Sequence, residues 1–128
     1  MWQVVLTDHY RNRLKRYAKK RGRELEAMLD NFDSYLESLE AGIHPLQIRH
    51  GFTHSETHGA VAIDQRGTVG KSAQHRLYLY PDAASKTLYL ITIGDKSSQR
   101  DDNAACRELI LALRESKQDE QDSDSAEN

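Results

Sequence analysis

His50, His54 and His58 recur every four residues with Glu56 among them. On a helix that spacing would set three imidazoles on one face, a workable metal site. The interleaved Gly51, Thr53, Ser55, Thr57 and Gly59 predict a polar loop instead, where regular spacing has no geometric meaning. A second candidate is electrostatic: residues 8 to 24 carry Arg11, Arg13, Lys15, Arg16, Lys19, Lys20, Arg21 and Arg23 against two acids. Such a run suits a nucleic-acid backbone, or a solvated face balanced by its neighbour. That neighbour is acidic, since residues 25 to 40 hold Glu26, Asp30, Asp33, Glu37 and Glu40 and no base. Cys106 is the single cysteine, which excludes an internal disulfide or a cysteine-based metal cluster and leaves core packing as its expected role.

The chain that must position these groups has 128 residues, 18 Lys plus Arg against 20 Asp plus Glu, and a mean hydropathy of -0.79, which suits one small soluble domain. No apolar run approaches the roughly 20 residues that span a bilayer, and the opening segment is too short for a signal peptide, so a cytoplasmic protein without membrane contact is expected. Residues 118 to 128 add five acids and almost no apolar surface, which predicts a disordered acidic tail after a domain over residues 1 to 117.

Residues 1 to 6 are β-prone and end at Thr7-Asp8, either of which can cap a helix. Tyr10, Leu14, Tyr17 and Ala18 then recur at helical spacing up to a break at Gly22. Leu25, Met28, Leu29, Phe32, Tyr35, Leu36 and Leu39 form the strongest helical pattern, stopped by Gly42 and Pro45, so two antiparallel helices are expected. Three β-like runs follow, Ala60 to Asp64, His75 to Tyr80 and Thr87 to Ile93, the last two as a hairpin turned at Pro81-Asp82. Ala105, Cys106, Leu109, Ala112 and Leu113 predict a final helix from about Ser97 or Ser98 to Lys117. The fold class is therefore α+β: a small twisted antiparallel sheet with the N-terminal helical hairpin on one face, the other face open, and a C-terminal helix.

The strand His75, Arg76, Leu77, Tyr78 and the turn Gly94, Asp95, Lys96, Ser97, Ser98, Gln99 resemble the RelE/ParE superfamily of bacterial toxins. Within it they are most similar to the HigB-type addiction-module killer proteins, and the element order agrees over residues 1 to 117. The resemblance implies the toxin of a type II toxin-antitoxin pair, a metal-independent mRNA endonuclease acting at the ribosome and inhibited by a cognate antitoxin. No cofactor is implied. In that chemistry a ribose 2′-hydroxyl attacks the adjacent phosphate, which calls for a proton acceptor, charge stabilisation and a proton donor.

Carried over residue by residue, the resemblance makes Arg76 and Lys96 the phosphate cations. His75 becomes the candidate acid or base. Strand alternation puts His75 and Arg76 on opposite faces, so both reach one site only at a bulge or a strand end. The arginine of the family's first central strand is replaced here by Ala62; Arg66, Arg49 and Lys71 are candidate RNA contacts that could add charge. The alternative is a non-catalytic module on the same scaffold, inhibiting a protein target such as DNA gyrase or retaining only antitoxin binding.

Overall fold

A computed structural model describes residues 1–66 and 74–127, with side chains described up to residue 117. Lys71 lies outside the described residues; the backbone over 118–127, expected as a disordered tail beyond a helix ending near Lys117, continues the C-terminal helix, and its side chains are not described.

The chain runs β1 (Gln3–Leu6), α1 (Asp8–Lys20), α2 (Gly22–Glu40), β2 (Thr53–Ser55), β3 (Val61–Asp64), β4 (His75–Asp82), β5 (Thr87–Asp95) and α3 (Gln99–Glu127), with short 3₁₀ turns at Pro45–Gln47, Thr57–Gly59 and Lys96–Ser98. Thr7 caps α1 as its residue type predicts: its hydroxyl accepts from the Tyr10 amide at 3.0 Å and donates to the Ile91 carbonyl at 2.9 Å. One side chain thus starts the helix and ties it to β5. Arg21 alone separates α1 from α2. At the far end of α2, Gly42 adopts a φ of 92°, the left-handed turn that only glycine enters freely.

The sheet order is β1-β5-β4-β3-β2. The expectation of an antiparallel sheet is corrected at one edge, because β1 lies parallel to β5 while every other pairing is antiparallel. β2 is a further element, a three-residue edge strand inside the segment predicted as loop. The hairpin turn also moves: Pro81 and Asp82 belong to β4, and the reversal is made by residues 83 to 86, with Lys86 at a φ of 53°.

α1 and α2 cover one face, where Met28, Tyr35, Leu39, Ile63, Leu77, Leu79, Leu88 and Ile93 form the main core. The other face is not open along its length. α3 packs there, closing Cys106 and Ile110 over Ala62, Tyr78 and Ile91. The register shift at Tyr78/Leu79 explains how β5 serves both cores: Ile91 is the extra residue, so Leu90 and Ile93 both reach the α1–α2 side despite their odd separation. Cys106 is fully buried, as its isolation predicted, and burial pushes its thiol up to about 12. Among the described residues no helix is long and apolar enough to cross a membrane.

Candidate functional site

Most of the turn Gly94 to Gln99 is used to build structure. The Asp95 carboxylate accepts from the Ser97 amide (2.9 Å), the Ser97 hydroxyl (2.6 Å) and the Ser98 amide (3.2 Å), while the Asp95 amide donates to the Ser98 hydroxyl oxygen at 3.1 Å. This is a capping box, and its hydrogen bonds, led by that of the Ser97 hydroxyl, hold the Asp95 carboxyl below its usual range. Ser98 also donates to Asp102 at 2.8 Å, and Asp102, fully buried, accepts from Arg13 at 2.6 Å. Burial pushes the Asp102 carboxyl up against the pull of Ser98 and Arg13. Arg13 donates further to the Ile93 carbonyl at 2.9 Å, so α1, β5 and α3 meet in one polar knot. One of the eight basic residues of the N-terminal run is therefore spent inside the fold.

What the turn leaves exposed is Lys96, which has no ion-pair partner among the described residues. Lys96 shares a small polar pocket of about 170 Å³ with Arg76, Gln74, Tyr78, Asp95 and Gln99. The two cations singled out in the sequence are thus brought together by the β4–β5 pairing, in which Arg76 stands opposite Gly94. Tyr78 is buried against α3, and burial is the main cause of its raised hydroxyl pKa.

His75 does not join them. The register shift lies beyond it in the strand, alternation holds, and its buried ring turns to the α1 side, with Nδ1 2.9 Å from the Tyr17 hydroxyl. Burial lowers its pKa, aided by the charge of Arg21 and opposed by those of Glu24 and Asp95. The neutral ring accepts the Tyr17 proton when its own hydrogen sits on Nε2.

Arg76 carries a partner that sequence reasoning missed: Nη1 donates to Glu56 Oε1 at 2.9 Å, both side chains being largely buried. Twenty positions separate the pair, and the only signal was that Glu56 is the single acid between His50 and Ala62. Ala62 stands opposite Tyr78 in the register and is fully buried in the α3-side core, so the position has no room for the family's arginine. Arg66 is exposed, donates to the Gly51 carbonyl at 2.9 Å and lies 3.5 Å from Asp64, away from the Lys96 pocket. Arg49 is exposed on the rim of a separate, larger cleft.

The three spaced histidines diverge in use. His50 Nε2 pairs with the Ser38 hydroxyl at 3.2 Å, His54 Nε2 with buried Asp64 at 2.7 Å, and His58 Nδ1 with the Thr57 hydroxyl at 2.6 Å. Among the described residues no group of three His, Cys, Asp or Glu side chains could hold a metal ion. On α1, Arg11, Lys15, Arg16, Lys19 and Lys20 remain exposed, and the acids of α2 form no ion pair with them among the described residues.

The chain matches no family model, no curated protein and no solved structure. Its functional reading rests on its own residues.

Proposed function

We propose that the protein is a RelE/ParE-like toxin of a type II toxin-antitoxin pair, acting as a metal-independent endonuclease on mRNA at the ribosome. The observation that carries this reading is the convergence of Arg76 and Lys96 on one polar pocket, with the Glu56 carboxylate bonded to the arginine. Two cations beside a carboxylate supply the charge stabilisation and the proton acceptor that transphosphorylation needs. Glu56 takes the proton of the 2′-hydroxyl, the new 2′-O–P bond forms as the P–O5′ bond breaks, and the departing oxygen recovers a proton from Glu56 or Lys96. Arg76 and Lys96 neutralise the charge that builds on the phosphorane. The products are a 2′,3′-cyclic phosphate and a 5′-hydroxyl end. In this scheme His75, facing α1, positions Tyr17 and takes no part in proton transfer.

The exposed cations of α1 supply a second contact surface for RNA or for an acidic antitoxin segment that silences the toxin in the cytoplasm. A specific observation also favours the rival reading, a binding module without cleavage: the Arg76 charge is already met by Glu56, and Ala62 removes the family's other strand cation. Induced expression of wild type and of Arg76→Ala/Lys96→Ala separates the two, with growth and new mRNA 5′-hydroxyl ends read in the same cultures. Arrest with cleavage that the variant abolishes is expected; arrest without new ends assigns the protein to the binding class.

A further inference from the structure

A cleft of about 720 Å³ is bounded by the Pro45–Gln47 turn, the β2 edge, the end of β4 and Arg114 of α3. Its size falls in the range of small-ligand sites. Its walls combine three chemistries. Leu46, Ile48, Val61 and Tyr80 supply apolar and aromatic surface, and Leu46 is 75% exposed, so the structure leaves it uncovered. Arg49 and Arg114 stand exposed at the rim, while among the described residues the only acid in the lining is Glu56, already bonded to Arg76. His44, His50 and His54 each hold one ring nitrogen in an internal hydrogen bond, and the other has no partner among the described residues.

From the core side the cleft is lined by Tyr35, whose hydroxyl is buried with no hydrogen-bond partner among the described residues. An unmet buried hydroxyl carries its full desolvation cost with nothing to offset it. A core tyrosine that only filled space would gain by being phenylalanine. Tyr35 lines the core-side wall of a cleft whose rim is cationic, and its hydroxyl, sealed from solvent, is without a partner among the described residues.

We infer that this cleft is a nucleoside-phosphate site: a planar base lies against Tyr80 and the apolar wall, its polar edge meets Tyr35 and the free imidazole nitrogens, and the phosphate is held by Arg49 and Arg114. The inference stands on the cleft itself and does not require cleavage at the Arg76–Lys96 pocket. The two sites adjoin through the Arg76–Glu56 ion pair, Glu56 lining the cleft and Arg76 the pocket. A free nucleotide and one residue of an RNA chain would present the same chemistry.

The test is calorimetric titration of the full chain with AMP, UMP, adenosine, inorganic phosphate and a five-nucleotide RNA, with an acidic amphipathic peptide as control. Nucleoside monophosphates are expected to saturate, with adenosine and phosphate alone at least tenfold weaker. Arg49→Ala/Arg114→Ala should weaken binding tenfold or more, and Tyr35→Phe three- to tenfold, without lowering the melting temperature. The conservative Tyr35→Phe keeps the ring's packing and guards against a folding artefact. Lys96→Ala, which leaves the Arg76–Glu56 pair intact, should leave monophosphate binding unchanged even if it abolishes toxicity, so this site and the proposed nuclease can fail separately. Saturation by the RNA alone, with the same dependence on Arg49 and Arg114, identifies the ligand as a residue of a chain. Binding indifferent to Tyr35, Arg49 and Arg114, or seen only with the peptide, overturns the inference.

Discussion

Arg76 Nη1 and Glu56 Oε1 lie 2.9 Å apart, and this one ion pair links the Lys96 pocket to the Tyr35 cleft. The pair sets opposing demands. While Glu56 holds Arg76, the arginine is less available to a phosphate; without Glu56, the proposed reaction loses its proton acceptor. Glu56→Gln should therefore bind RNA more tightly, with the slope of log affinity on log salt steeper by about 0.7 for one additional phosphate neutralised on a single strand. Cleavage should fall by about 100-fold or more. Retained cleavage would remove Glu56 from the chemistry, and weaker RNA binding would show that Arg76 was not the group released.

Gly94 and Asp102 make a second, structural prediction. A Cβ at Gly94 would sit well inside contact distance of the Asp102 carboxylate and the Ser98 hydroxyl, both locked in the knot with Arg13. Gly94→Ala should cost about 3 kcal/mol, read as a shift in the urea midpoint at constant slope. Asp102→Ala also destabilises, since it leaves Arg13 facing a buried void. The double variant should be less damaged than the two singles together by about 1 kcal/mol or more, because the clash disappears with the carboxylate. Simple additivity would mean that the glycine is not there to admit Asp102.

The same pair shows what was legible in the sequence and what was not. Local signals transferred well: the three-and-four spacing of α2, the Thr7 cap, the central β4–β5 hairpin and the burial of Cys106 all follow from neighbours within a few positions. Strand alternation alone also separates His75 from Arg76, and the two side chains do face opposite sides of the sheet. What failed was non-local. Parallel pairing of β1 with β5 leaves no trace in a six-residue apolar run, and the extra residue Ile91 in β5 breaks the alternation that would have assigned its faces. α3 carries too few apolar residues to announce which face it covers. Arg76 and Glu56 meet only because β4 lies beside β3 and the chain after β2 folds back, a proximity that spacing along the sequence cannot encode. Gly94 read as a motif letter, yet its constraint is steric and comes from α3.

His75 predicts a pH dependence of stability. Its folded pKa is lowered, chiefly by burial against Tyr17, so below about pH 6.5 the unfolded chain binds a proton that the folded chain resists. Its contribution is complete above the unfolded pKa and is lost as pH falls through about 6.5 toward the folded value. Urea midpoints at about pH 7.5 and 5.5, on either side of the ordinary histidine pKa, should show wild type losing stability on acidification, and His75→Gln losing less over the same interval. Equal losses in both proteins would place the titration on another group.

The basic face of α1 gives the last prediction. Lys15, Lys19 and Lys20 form no ion pair among the described residues, so neutralising them removes field without removing packing. Lys15→Gln/Lys19→Gln/Lys20→Gln should lower the melting temperature by no more than about 5 °C, since each surface substitution of this kind changes stability by about 0.5 kcal/mol or less. If the face contacts RNA, affinity should drop about equally for unrelated sequences, and the salt slope should shrink by about 0.7 for each phosphate no longer neutralised. Arg76→Ala/Lys96→Ala should by contrast suppress cleavage far more than affinity, because in the proposed mechanism those two cations act on the reacting phosphate. An unchanged salt slope in the triple variant would show that the α1 face is solvated surface, leaving RNA contact to the Lys96 pocket and the adjoining cleft.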